Sequence, residues 1–302
     1  MENDIHWGIL VALYLFLAGA GAGVIFISAF YVLDKKIKNL RYLKLARISS
    51  LSGVVLLVVG VAMIVLDLTT FRAGIENFDL NKILRFHKLF ITFVPSSIMS
   101  WGTWLLFISI PLSFAFTISL YSSKSFFKYR TLLARINMIL SIGICTYTAF
   151  LIGDVMHNIV WSNSALVILF MVSALSSGFA IVLLFRVLIF KEIKREEALL
   201  FNKVDASILT FELLCVAIFA YTVSIISKTH NVDYIFTLST EVGKLWWIGA
   251  VCIGLLFPLF LNIYAITLKK KLSHIYEYSL VLALLVGAFS LRYAVLLAGQ
   301  MY

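Results

Sequence analysis

Eight long apolar stretches constrain the fold of this chain more than any other feature of its sequence. A helix needs about 20 mostly apolar residues to cross a membrane. Stretches of that length cover residues 7–33, 46–68, 97–120, 131–153, 164–189, 206–227, 245–267 and 275–299. Apolar residues make up 62 % of the chain and charged residues 13 %, which is outside the range of soluble domains. We therefore predict an all-α integral membrane protein with eight transmembrane helices, in which residues 1–302 form a single membrane domain.

The basic residues predict how these helices are oriented. Of the 25 Lys and Arg, 18 lie in or beside the connections after odd-numbered helices, six lie in even-numbered connections, and one is Arg292. Cytoplasmic loops carry an excess of Lys and Arg, so both termini are predicted to be extracytoplasmic. We therefore attribute the net charge of +10 to basic cytoplasmic loops. The predicted location is the cell (inner) membrane, which the chain crosses several times. Membrane lipid is the expected neighbour, and no nucleic-acid partner is expected.

A short pattern occurs twice and indicates an internal repeat. Tyr147 and Tyr293 are each followed, after five intervening residues, by a glycine and a polar residue, which are Gly153-Asp154 and Gly299-Gln300. The copies end the fourth and eighth stretches, so we predict half-repeats 1–160 and 161–302. Because each half has four helices, the halves run in the same direction and form two four-helix bundles in a parallel repeat.

Nearly all ionisable residues of the first half, together with Arg292, are predicted to lie in the extracytoplasmic part of the membrane, with other polar residues beside them. The candidates at this level are His6, Tyr14, Asp67, Ser97, Trp101, Tyr147, Asp154 and Arg292. Only Arg186 and Glu212 are expected near the cytoplasmic boundary. We interpret these two as solvated helix ends, and a proton path to the cytoplasm is the alternative.

Arg292 is the candidate that most requires an explanation. A charged side chain at the centre of a membrane helix costs about 2.5–3.5 kcal/mol on insertion scales. Arg292 lies about two turns before the end of the last stretch. We expect it to be functional or to pair with Asp67, and snorkelling towards the headgroups is the alternative.

The cluster of candidates has the chemistry that a quinone headgroup requires. A quinone ring needs donors to its carbonyl oxygens, and its reduction takes up two protons with two electrons. Tyr and His can donate, and Asp can relay protons. We therefore predict a site for a quinone of the menaquinone or ubiquinone type. The structural alternatives are interfacial belt residues for the tyrosines and histidines and helix-end caps for the aspartates.

Neither haem nor a metal site is predicted. Axial haem ligation requires histidines that face one another inside the bundle, whereas all five histidines lie at or beyond the ends of the apolar stretches. The three cysteines lie within apolar stretches and are not spaced like metal ligands.

Six sequence blocks carry a resemblance to a known family. They are YLFLAGAGAG (14–23), VLDL (65–68), PSSIMSWGTWLL (95–106), YTAFLIG (147–153), SALSSG (173–178) and LRYAVLLAGQ (291–300). With these blocks in order over nearly the whole chain, the sequence resembles the NrfD-like family of polysulfide-reductase membrane subunits. The blocks PSSIMSWGTW and RYAVLLAGQ are fairly specific.

The resemblance implies an eight-helix, two-bundle subunit without a redox centre of its own. It implies an extracytoplasmic four-cluster iron–sulfur partner subunit, which would hold the clusters, together with a molybdopterin catalytic subunit. It assigns Tyr147 to hydrogen bonding with a quinone carbonyl and Asp67 to proton transfer. Tyr14 and Val11 lie near the places where the polysulfide reductase branch has a histidine and an asparagine, and Ala149 stands where many members have glycine.

The leading hypothesis is a quinone-reactive membrane subunit of a respiratory oxidoreductase complex in anaerobic or sulfur metabolism. Asp67 and Arg292 are expected to form a charged pair that handles protons. Tyr147, Tyr14, His6, Ser97, Trp101 and Asp154 are expected to line the cofactor site. The partner is expected to dock on the outer connections, which include residues 69–88. Two alternatives are a secondary transporter with a four-plus-four repeat, whose site would lie near the membrane midplane, and a structural anchor without quinone.

Overall fold

The computed structural model describes residues 7–34, 40–67, 93–122, 127–154, 160–190, 195–230, 237–269 and 273–300. Within these ranges every regular element is helical, and eight helices are long and apolar enough to cross a membrane. They are α1 (Ile9–Leu33), α2 (Leu40–Leu66), α3 (Ile98–Tyr121), α4 (Phe127–Gly153), α5 (Ser164–Ile189), α6 (Arg195–His230), α7 (Glu241–Thr267) and α8 (His274–Gln300). The predicted helical fold and its eight membrane-length helices are confirmed.

Two helices begin six or more residues earlier than hydropathy predicts. Helix α2 begins at Leu40 and α6 at Arg195, whereas the apolar stretches begin at residues 46 and 206. The added turns contain charged residues such as Glu196 and Glu197, which lower hydropathy but are good helix formers. As a result, Asp205 lies inside α6 and not in the preceding connection.

Contacts between helix ends define two faces of the molecule. The Trp7 backbone N–H donates to Gln300 Oε1 at 3.0 Å, and Gln300 Nε2 donates to the Trp7 carbonyl at 2.9 Å. Asp67 lies beside Gly8. The beginning of α1 and the ends of α2 and α8 therefore share one face, which we call the terminal face. The predicted orientation makes this face extracytoplasmic.

The other ends of the helices meet at what we call the opposite face. The rings of Tyr31, near the end of α1, and Tyr42, near the beginning of α2, lie 5.9 Å apart. Arg186 near the end of α5 forms an ion pair of 2.7 Å with Glu277 at the beginning of α8. This face carries most of the basic connections.

Helices α1 and α5 form the centre of the structure. Helix α1 packs against α2, α4 and α5, and α5 packs against α1, α4, α6 and α8. The two central helices cross at Gly23 and Gly178, where a Cβ on Gly23 would overlap the Ala174 carbonyl. The glycines therefore permit a close backbone approach, as small residues do in membrane helices. The division into two four-helix half-repeats stays a prediction.

Helix α7 contains a π-helical segment, Leu245–Leu256, between two α-helical segments. Gly249 and Gly254 of this segment face Ser290 and Gly287 of α8. A Cβ on Gly249 would lie 2.7 Å from Ser290 Oγ. The segment thus places α7 closely against the helix that carries Arg292.

Candidate functional site

The structure brings together the two tyrosines that the sequence assigned to the site. Tyr14 of α1 is 1 % exposed and Tyr147 of α4 is 8 % exposed. Their phenol groups interact with each other across the interface between α1 and α4. Both rings therefore lie inside the bundle and not on the lipid-facing surface, where interfacial belt residues lie.

A glycine in α3 shapes the position of Tyr147. A Cβ on Gly102 would overlap the ring and the hydroxyl group of Tyr147. The phenol of Tyr147 therefore lies directly against the backbone of α3. Three helices, α1, α3 and α4, thus surround the tyrosine pair. Because one phenol hydroxyl interacts with the other, the pair has one O–H left as a donor for a carbonyl oxygen.

Asp67 lies between the tyrosine pair and the terminal face. It follows directly after α2 and is 3 % exposed. Its Oδ1 is 4.0 Å from the position of a Cβ on Gly8. Tyr14 lies six residues further along α1, about 9 Å deeper at a rise of 1.5 Å per residue. Asp67 is therefore a buried carboxyl group and not a solvated cap.

Three other predicted site residues lie apart from the tyrosine pair. Trp101 is 58 % exposed, and its indole Nε1 donates to the Pro95 carbonyl at 2.9 Å. Ser97 is half-buried at the beginning of α3, and Asp154 is exposed after α4. Among the described residues, no hydrogen bond or ring contact joins these side chains to the tyrosines. His6 lies outside the described residues, as does the connection 69–88.

Arg292 does not form the expected charged pair with Asp67. Its side chain is fully buried, and its Nη1 donates to Ser173 Oγ at 3.1 Å and to the Ala288 carbonyl at 3.0 Å. A Cβ on Gly19 would lie 2.8 Å from Arg292 Nη2. Gly19 is eleven residues beyond Gly8 on α1, which places Arg292 about 16 Å deeper than Asp67. The depth difference rules out the pair.

The acidic neighbour of Arg292 is Glu212 of α6. Glu212 interacts electrostatically with Arg292, and its carboxyl group lies beside Ser173 and Ser176 of α5. It is 2 % exposed. The interpretation of Glu212 as a solvated helix end is therefore wrong, because α6 begins well before it and places it near the middle of the helix.

Further buried polar groups continue from Glu212 towards the opposite face. Asp205 lies two turns earlier on α6, and its Oδ2 accepts a hydrogen bond of 2.6 Å from Asn262 Nδ2. Arg186 and Glu277 follow as an ion pair with side chains 3 % and 5 % exposed. We call this set the buried polar series, and it comprises Arg292, Ser173, Glu212, Asp205, Asn262, Arg186 and Glu277.

The sequence reasoning missed most of this series. No motif in the sequence identifies Asp205, Asn262 or Glu277, and Arg186, which was expected at a solvated helix end, is buried instead. Asp205 and Glu212 are seven residues apart, a spacing that places two side chains on one face of a helix. This spacing is the sequence feature that could have indicated a buried acidic face on α6.

The two copies of the repeated Gly-polar pattern meet at Trp161. A Cβ on Gly153 would lie 3.1 Å from the Trp161 carbonyl oxygen, and one on Gly299 would overlap its indole. The indole Nε1 donates to the Val295 carbonyl at 2.8 Å, and its ring lies 5.6 Å from that of Trp7. The glycines of both copies therefore allow the ends of α4 and α8 to pack closely against Trp161 at the terminal face.

The fold and the site define a multi-pass membrane protein with ionisable side chains enclosed by its helices. The chain matches the family model described as polysulphide reductase, NrfD, over residues 1–302, and it belongs to that family. It is 28 % identical to the C subunit of polysulfide reductase from Wolinella succinogenes, over 99 % of this chain and 96 % of that protein. It is 24 % identical to protein NrfD homolog of Haemophilus influenzae, over 99 % and 95 %. The family resemblance noted in the sequence is confirmed.

We expect Arg292 and Glu212 to be energetically coupled. Arg292→Met and Glu212→Met should each lower the thermal stability of the purified protein in detergent, because each leaves the other side chain buried without its partner. The double variant should lose less than the sum, with a coupling of about 0.5–3 kcal/mol. Arg135→Met, on an exposed position of α4, serves as the control. Strictly additive losses would show that the two residues do not interact.

Proposed function

We propose that this protein is the quinone-reactive membrane subunit of a multisubunit oxidoreductase complex. Membership of the polysulphide reductase, NrfD family supports the proposal, as does similarity to a protein named as one subunit of a polysulfide reductase. In this proposal electrons pass between membrane quinone and an extracytoplasmic iron–sulfur subunit, and a molybdopterin subunit carries the substrate chemistry. The observation that carries the assignment is the buried tyrosine pair with Asp67 between it and the terminal face.

The residues present fit the hydrogen-bonding needs of a quinone headgroup. Quinone reduction takes up two electrons and two protons, and quinol oxidation releases them. The tyrosine pair, in which Tyr147 is held against Gly102 and interacts with Tyr14, offers a phenol O–H to a carbonyl oxygen and stabilises charge that develops on it. Asp67 accepts or supplies protons between the pair and water at the terminal face. The same location keeps the electron transfer distance to a partner on that face short.

We also propose that the buried polar series exchanges protons with the opposite face. Glu212 and Asp205 are carboxyl groups enclosed in the membrane interior, where ionisable residues usually serve ion or proton pathways. At the end of the series, His274 Nδ1 lies 3.7 Å from Glu277 Oε2, and His274 is half exposed. The series therefore leads from the depth of Arg292 to a solvent-accessible side chain.

The depth of two ionisable residues favours the transporter alternative, whereas family membership opposes it. Arg292 and Glu212 both lie deeper in the membrane than predicted, since the sequence placed Arg292 near the extracytoplasmic ends of the helices and Glu212 near the cytoplasmic boundary. Ionisable residues near the membrane centre are typical of transporters. The family to which the chain belongs, however, is named for a reductase. We therefore favour the redox subunit and assign the central residues to proton transfer.

The tyrosine assignment is tested by quinol-driven turnover of the intact complex. Tyr147→Phe removes one hydrogen bond to the headgroup and should lower kcat/KM by about three- to tenfold. Tyr293→Phe is the matched control, since Tyr293 occupies the equivalent place in the second copy of the pattern. Partner subunits must remain bound in both variants. Equal rates for wild type and Tyr147→Phe would contradict the site.

Proton exchange is tested in proteoliposomes that contain the complex and a pH-sensitive dye. Glu212→Gln retains the size of the side chain but cannot ionise, so we expect pH changes on the cytoplasmic side to be lost or reduced severalfold per quinol. Glu241→Gln, an exposed carboxyl at the beginning of α7, should behave as wild type. Unchanged cytoplasmic proton exchange in Glu212→Gln would exclude the buried polar series as the route.

A further inference from the structure

A buried amide and a buried carboxyl group form a pair between α6 and α7. Asp205 of α6 and Asn262 of α7 are both fully buried. Asn262 Nδ2 donates to Asp205 Oδ2 at 2.6 Å. The bond joins two helices that pack against each other along the last segment of α7, Phe257–Thr267. It partly replaces the hydration that a carboxyl group loses when it is buried.

Each side chain of the pair keeps one oxygen atom unbonded. Asp205 Oδ1 and Asn262 Oδ1 are buried, and neither has a hydrogen-bond partner among the described residues. An unused acceptor in the membrane interior is costly, so helix packing alone does not account for this arrangement. The free atom Asp205 Oδ1 is able to bind a proton while the bond to Asn262 remains in place.

Asn137 shows how a buried asparagine serves helix packing alone. It lies on α4 and is 1 % exposed. Its Oδ1 accepts from Ser113 Oγ at 2.7 Å, and its Nδ2 donates to the Leu112 and Leu133 carbonyls at 3.2 and 2.8 Å. Both ends of this amide are therefore bonded, and none of its partners ionises. Asn262 differs because the partner of its amide is a carboxyl group.

Asp205 lies between the two parts of the buried polar series. It interacts electrostatically with Glu212 and with Arg186. Glu212 lies two turns further along α6, towards the depth of Arg292, and Arg186 is ion-paired with Glu277 near the opposite face. Asp205 is therefore the carboxyl group that links the two parts of the series, and its orientation matters for any proton that moves along them.

We propose that Asn262 is a positioning residue for proton transfer through Asp205. Its amide N–H fixes Oδ2 of the carboxyl group. The proton binds to Oδ1, which gives the neutral acid, and it leaves from the same atom. Asn262 itself neither gains nor loses a proton. This inference rests on the proton exchange proposed above and makes it more specific, because it names the atom that carries the proton and the side chain that orients it.

Infrared difference spectra of the purified complex between low and high pH test this arrangement. With the proton on Oδ1, the C=O stretch of neutral Asp205 belongs to the oxygen that Asn262 holds. Asp205→Asn should remove this band and thereby identify it. Asn262→Leu should move the band to higher wavenumber, because the C=O bond stiffens when it loses a hydrogen-bond donor. Asn137→Leu, which also removes a buried amide, should leave the band in place.

Proton exchange on the cytoplasmic side, measured per quinol in proteoliposomes that contain the complex, gives a second readout. Asn262→Leu should reduce it severalfold, whereas Asn137→Leu should match wild type. Asn262→Ala is the second variant, should Asn262→Leu fail to give folded protein. An unmoved carboxyl band, a band that persists in Asp205→Asn, or wild-type exchange in a folded Asn262 variant would overturn the proposal.

Glu212→Gln separates failure of this inference from failure of the proton route. Loss of exchange in Glu212→Gln together with wild-type exchange in Asn262→Leu would leave the route intact and remove only the role of Asn262. Unchanged exchange in Glu212→Gln would remove the route, and the role of Asn262 with it.

Discussion

The arrangement of the central helices depends on accommodating a guanidinium group inside the membrane. Arg292 donates hydrogen bonds to Ser173 and to its own helix, and Glu212 provides the nearby acidic group. Because those partners lie on α5, α6 and α8, their contacts hold three helices around one charge. Gly19 of α1 leaves the space that the guanidinium occupies. A charged side chain that would be costly in lipid is thereby enclosed by helices, and its contacts hold those helices in position.

Two regions of the molecule divide the proposed chemistry. The tyrosine pair lies towards the terminal face, where Gly102 permits Tyr147 to lie against α3 and Asp67 lies nearer the surface. The buried polar series begins at Arg292, whose neighbour Cys145 precedes Tyr147 by two residues on α4. The site proposed for electron exchange and the route proposed for protons therefore approach each other in the centre of the bundle. Their proximity gives a physical basis for coupling one to the other.

The sequence was sufficient for features that depend on hydropathy. It predicted the eight helices, and it selected Tyr14 and Tyr147, which the structure brings together. The sequence placed Arg292 at the level of Asp67, whereas it lies about 16 Å deeper, so Arg292 was assigned to Asp67 instead of Glu212. Charged residues were taken to mark the ends of helices. Asp205 was therefore placed before α6, and Glu212 was placed near the cytoplasmic membrane boundary. The role of Trp161 depends on contacts among α1, α4 and α8, which no local pattern specifies.

Photoaffinity labelling with an azido-quinone in the intact complex tests the central claim most directly. The quinone site proposed here predicts labelled peptides from α1 and α4 that contain Tyr14 and Tyr147, and unlabelled quinone should suppress the labelling. Labelling confined to α6 residues such as Phe201 and Val204, or labelling that quinone does not suppress, would contradict a quinone site near the terminal face.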